Sequence, residues 1–261
     1  MTDMAHGADE HAVHEHHWEV SWAPMAIAFG SMFLVPLTFA AVLIYHLVLP
    51  GIICAGIGAP LIVAGIARWV YEGATHPSPT ASVAPAGIGI FIVGEILIFL
   101  GLFAGYWFLR ISTGMDDQPW PPAGTPEINH VLPLIMTAIL VTSSLTYHKA
   151  EKAFEEGHGG FTFWLLVSIV LGIAFVSCTG YEYTHLWSEG FKPGTNQFST
   201  PFYSLTGFHA THVIVGLAAF LAVLLGSLFG TVHKTLVKLA GVYWHFVDVV
   251  WFFVASQVYF W

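Results

Sequence analysis

The chain has 261 residues, 56% of them hydrophobic and 9% charged, with a formal net charge of -9. A soluble domain carries about 25% charged residues, and here the mean hydropathy is +0.72, so composition excludes a water-soluble globular domain and indicates a polytopic membrane protein. The acidic balance, with no basic patch, also excludes nucleic acid as a partner.

Residues 1–22 read as a polar tail without Lys or Arg, rich in acids and carrying His6, His11, His14, His16 and His17. A secretory signal peptide needs a basic region before its apolar core, so the tail is not one. Its "HEHH" can hold a metal weakly or can simply be solvated.

A bilayer-crossing helix needs about 20 mostly apolar residues. Seven runs qualify: about 25–47, 50–72, 87–110, 129–148, 161–185, 202–229 and 237–261. Residues 23–261 are read as one seven-helix membrane domain. Pro50 and Gly51 are expected to form the turn between the first two spans. "THPSPTASVAP" (75–85) and the Pro-rich "MDDQPWPPAGTPE" (115–127) cannot continue a helix. "EKAFEEGHGG" and "SEGFKPGTNQ" are polar connectors. Strands are excluded inside lipid unless they close into a barrel, because their backbone groups go unpaired. The fold expected is an all-α bundle.

Orientation follows from Lys and Arg. Arg68, Lys149, Lys152, Lys234 and Lys238 fall on the side of the N-terminus, Arg110 and Lys192 on the other. This distribution predicts a cytoplasmic N-terminus and an external C-terminus. On the third span Gly87, Gly94 and Gly101 recur every seven residues, and Gly101 and Gly105 form G-x-x-x-G. Such a stripe lets another helix approach closely, or is glycine scattered as membrane helices tolerate it. Cys54 and Cys178 lie far apart in apolar runs with no C-x-x-C, no haem-attachment motif and no zinc spacing. They read as small buried apolar residues.

The informative residues are polar ones inside the spans. Glu95 interrupts "FIVGEILIFLG", about 12 Å from the start of its span at 1.5 Å per residue. A charge near mid-membrane costs about 2.5–3.5 kcal/mol or more, which makes such an acid a functional candidate facing other helices. The alternative is a hydrogen-bonded core acid that only fixes packing. Asp248 lies at similar depth in the last span, with His245 three residues before it on the same face. That pair can relay protons or satisfy itself. His209 and His212 in "GFHATHVIVG" share a face too. With H-E-x-x-H absent, a His–Glu hydrogen-bond network with Glu182 of "GYEYTH" is expected there rather than a metal site. Arg68 and Trp69 suit a lipid headgroup and the interfacial aromatic belt. No metal site is expected. Residues alone leave two classes open, a proton-handling carrier and an integral subunit of a larger complex.

Motif order separates them. "GEILIFLGLFAGYW", "WPPAG" at 120–124, "GYEY", "FYSLTGFHATHVIVG" and "YWHFVDVVWFF" follow one another across the membrane region. In this order the chain resembles subunit III of haem–copper oxidases, in particular the cytochrome c oxidase branch. The resemblance implies a non-redox subunit that supports subunit I, with haem and copper held in partner subunits and cytochrome c delivering electrons through subunit II. It implies a two-plus-five division of the helices, with phospholipid in the cleft between the bundles. Glu95 matches the family's carbodiimide-reactive acid, in a subunit associated with sustained proton uptake. Arg68, Glu182, His209, His212, His245 and Asp248 match the cleft or its supporting network. The His-rich tail has no counterpart, and the 75–85 linker follows the pattern only loosely. The quinol-oxidase branch usually lacks the third-span acid, so Glu95 favours cytochrome c as donor. The nitric-oxide-reductase-associated branch can keep that acid and stays open. No targeting presequence is recognised, which suits a bacterial plasma membrane and equally an organelle-encoded subunit.

Overall fold

The computed structural model describes residues 21–75, 84–115, 119–157, 159–230 and 232–260. The bulk of the His-rich tail, the centre of the 75–85 linker and residues 116–118 lie outside the described residues. The helices are α1 (Ala23–Met32), α2 (Val48–Thr75), α3 (Ala84–Met115), α4 (Val131–Glu155), α5 (Phe161–Ser188), α6 (Ser199–Leu228) and α7 (Lys234–Tyr259). With the extension of the first described below, seven helical spans are long and apolar enough to cross a membrane, and no strand occurs among the described residues. The all-α, seven-span fold is therefore the one the apolar runs predicted.

Two compact units make up the chain, residues 1–79 and 80–261. In the first unit, α1 begins where Ser21 Oγ accepts the N–H of Ala23 at 3.1 Å. It continues through two π-type turns, Phe33–Leu37 and Ala40–Ile44. Pro36 supplies the cause: it lacks an N–H and its ring crowds the preceding turn, so the helix widens locally. Thr38 Oγ1 donates to the Phe33 carbonyl at 2.9 Å. The turn into α2 comes at Tyr45–Leu47, with His46 at φ 55°, rather than at Pro50–Gly51. Pro50 instead occupies the first turn of α2, where helix N–H groups lack intrahelical partners anyway and a missing one costs little. α1 and α2 cross at glycine: a Cβ on Gly58 would lie 2.5 Å from the Leu34 nitrogen and 2.7 Å from the Gly30 oxygen.

In the second unit α4, α5, α6 and α7 form a ring in which each helix packs on the next and α7 returns to α4, while α3 lies on α6 and α7. α7 is the central element. Its Trp244 and Trp251 are fully buried, and Trp244 wedges against Gly172 of α5 and Gly216 of α6. Polar pins cross the bundle: Tyr147 Oη donates to the Val237 carbonyl at 2.6 Å, and Trp251 Nε1 donates to Thr137 Oγ1 at 2.9 Å. Tyr106 and Trp107 of α3 donate to the carbonyl and side-chain oxygens of Gln257 at 2.5 and 3.0 Å. The Gly87, Gly94, Gly101 and Gly105 stripe is exposed, and an added Cβ would meet nothing within 4 Å. Close approach in this unit runs through Gly172 and Gly216 instead, because there the bulky partner is an indole rather than another backbone.

Candidate functional site

Glu95 sits on α3, about 16 Å from the helix start at 1.5 Å per residue. Its Oε2 lies 3.0 Å from His212 Nε2 on α6. The side chains are 17% and 9% exposed, so water screens the contact little. The other ring nitrogen, Nδ1, is 2.8 Å from the Phe208 carbonyl, which only accepts. Nδ1 therefore carries a hydrogen, and in a neutral ring Nε2 is the acceptor. The 3.0 Å contact then holds one proton, supplied by a carboxyl O–H or by an imidazolium N–H. Around it the ring is fixed by Phe99 and Phe208 at centroid distances of 5.2 and 4.6 Å. Tyr243 of α7 stacks nearby at 6.4 Å and donates to the His212 carbonyl at 3.3 Å. Helices α3, α6 and α7 thus converge on one proton-sharing pair.

A second cluster joins α7 to α4. Ser144 Oγ lies 2.7 Å from His245 Nδ1 and donates a short hydrogen bond to Asp248 Oδ2. His245 Nδ1 and Asp248 Oδ2 are 3.9 Å apart. Asp248 is buried and its Oδ1 meets no hydrogen-bond partner, whereas the His245 side chain is 47% exposed. The expected His245–Asp248 pair is present, but a serine that the sequence reading passed over lies between its two members. The polar run "TSSLTYH" inside an otherwise apolar span is the signal that pointed to it.

The remaining candidates separate. The histidine network was expected to take its acid from Glu182, but the acid that reaches His212 is Glu95. Glu182 accepts instead from Tyr259 Oη at 2.6 Å and borders a cavity of about 80 Å³ with Thr125, Glu127, Asn129 and His185. Chain order explains the misplacement: α5 and α6 are joined by a short connector, yet α3 presents its acid to α6 from the other side. His209 is fully buried between Phe175 and Trp251, with both ring nitrogens unpartnered. Arg68 pairs along its own helix, Nε to Glu72 Oε1 at 2.6 Å, and lies over the Tyr71 ring at 5.6 Å. Among the described residues no group of three or more His, Cys, Asp or Glu side chains gathers as a metal site.

The fold and these clusters define a multi-pass helical membrane protein in which intramembrane acids and histidines pair across helices. A family model for cytochrome c oxidase subunit III matches residues 14–261. The chain is 36% identical over 189 residues to a probable cytochrome c oxidase subunit 3 of Nocardia farcinica, covering 71% of this chain and 91% of that one. It is 40% identical over 179 residues to cytochrome c oxidase subunit 3 of Synechocystis, 66% of this chain and 73% of the relative. The same subunit of Emericella nidulans is 37% identical over 203 residues, 75% and 74% of the two chains. The chain belongs to the cytochrome c oxidase subunit III family, and so to a multi-subunit respiratory oxidase complex.

Proposed function

We propose that this chain is the non-redox subunit III of a proton-pumping cytochrome c oxidase, packed against subunit I, with subunit II receiving electrons from cytochrome c. Haem and copper belong to the partner subunits, and the catalytic centre is theirs. The chain lies in a bacterial plasma membrane with its N-terminus on the cytoplasmic side, a reading supported by its Lys and Arg distribution and by bacterial relatives. The chain binds phospholipid, with Arg68 among the residues that hold it. Glu182, His209, His245 and Asp248 support the five-helix bundle.

The observation that carries the proton-handling part is the Glu95–His212 contact, in which the Phe208 carbonyl orients the ring so that one proton is shared at 3.0 Å. Such a pair can pass its proton between carboxyl and imidazole while the pair stays net neutral in lipid. Its role is to sustain proton uptake by the complex over many turnovers. Glu95→Gln keeps shape and hydrogen bonding but removes the ionisable group. In the assembled oxidase the variant is expected to turn over normally at first and to inactivate sooner at high pH. Equal activity and lifetime at every pH would reduce Glu95 to a packing role. The subunit assignment is tested by isolating the native complex through this chain: haem absorbance and a haem–copper subunit I must copurify. A quinol-oxidase or nitric-oxide-reductase-associated assembly is the alternative, and Glu95 itself favours the cytochrome c branch over the quinol one.

A further inference from the structure

The α4–α7 seam of the five-helix unit carries a polar edge where a bilayer has nothing to offer it. α4 and α7 are 25 and 26 residues long. Their midpoints fall at Ser143 and between Phe246 and Val247, beside Ser144 and His245. Both residues therefore lie near the centre of the hydrocarbon. Yet the His245 side chain is 47% exposed.

The buried side of the cluster fixes how that ring is presented. Ser144 Oγ donates to Asp248 Oδ2, so it accepts from His245 Nδ1, which carries a hydrogen. Asp248, acting through the serine, aims the histidine. Nε2, on the opposite edge of the ring, meets no hydrogen-bond partner among the described residues. In a neutral imidazole Nε2 accepts, and in a protonated one it donates. Acyl chains do neither, and a polar edge left bare in hydrocarbon is costly. Around it the surface is apolar: Val141 and Leu145 of α4 and Val242 and Val249 of α7 are exposed, each within about a turn of Ser144 or His245. Compact valines beside one hydrogen-bonding group are what a second helix packs on in a membrane.

We propose that the α4–α7 seam is a helix-docking surface, covered in the assembled oxidase by a transmembrane helix of another subunit that presents a hydrogen-bonding side chain to His245 Nε2. This rests on the reading of the chain as one subunit of a larger complex.

The test uses the native complex isolated through this chain. A photo-crosslinking benzoylphenylalanine at Leu145 or at Val249 is expected to join the chain to another membrane subunit. At Val170, exposed on α5, it should not reach that same polypeptide. His245→Leu should speed the release of the chain by detergent about threefold, the worth of one average interhelical hydrogen bond. His245→Gln, which keeps a hydrogen-bonding end, should recover part of that loss. Leu145→Trp changes only exposed surface and leaves the Ser144–Asp248 pair in place, and it should speed release as well. A chain isolated without other subunits overturns both this proposal and the subunit assignment. With the other subunits present, crosslinks from positions 145 and 249 that reach only lipid, this same chain or a second copy of it overturn the docking surface alone. So does release at the wild-type rate in both His245→Leu and Leu145→Trp.

Discussion

Replacing Glu95 by leucine or by glutamine separates the hydrogen bond from the shape of the acid. His212 Nδ1 is committed to the Phe208 carbonyl, so in the neutral ring Nε2 needs a donor. Glutamine supplies one through its amide; leucine supplies none and leaves a ring nitrogen on a side chain only 9% exposed. An unmade buried hydrogen bond costs about 1–3 kcal/mol in water-soluble proteins. Interhelical bonds in membranes average about 0.6 kcal/mol and reach about 1.7, so about 1 kcal/mol is expected for Glu95→Leu. For a chain of this size that lowers the melting temperature by about 2–4 °C, while Glu95→Gln should stay within about 1 °C of wild type. Thermal melts of the detergent-solubilised chain, followed by intrinsic tryptophan fluorescence, resolve the difference. Nitrogen NMR of labelled histidine should show hydrogen on Nδ1 in both wild type and Glu95→Gln. A loss with glutamine as large as with leucine refutes the reasoning, because the donor would then contribute nothing.

Two glycines should respond with opposite signs. A Cβ on Gly216 would sit 2.6 Å from Trp244 Cε3, so Gly216→Ala overpacks and should destabilise by about 1–3 kcal/mol. At Gly94 nothing lies within 4 Å, so Gly94→Ala should stabilise the isolated chain by up to about 1 kcal/mol through helix propensity; melts shifting the same way in both variants would contradict the packing described. Ser144→Ala removes the hydroxyl shared by His245 and Asp248 and should cost about 1–2 kcal/mol. In a double-mutant cycle with Asp248→Asn the two losses should be non-additive, and simple additivity would show that the serine is not bonded to the acid.

Much of the fold could be read from the chain because a bilayer asks one question of every segment. Runs of about 20 apolar residues must be helices when all backbone hydrogen bonds have to close within the segment, so all seven spans were found. Their ends were less legible. α3 extends beyond 87–110 to Ala84–Met115; there the Ser112 and Thr113 hydroxyls both donate back to the Leu109 carbonyl, at 3.0 and 2.7 Å, so polar residues continue the helix past its apolar run. Pro50 marked a turn by its general habit, yet the first helical turn tolerates it.

The sequence by itself singled out the candidates: an acid or histidine in an apolar run is expensive wherever it lies, so Glu95, Glu182, His209, His212, His245 and Asp248 stood out at once. Partners less than a turn or so apart on one helix, His245 and Asp248, were legible too, since helical periodicity sets them side by side. Only the tertiary structure decided who meets whom across helices. Glu95 and His212 are 117 residues apart and Ser144 and Asp248 are 104 apart, and nothing in local pattern chooses between Glu95 and Glu182 for the same imidazole. That choice is made by the ring of α4 to α7, closed around Trp244 and Trp251, and by the side of it on which α3 packs.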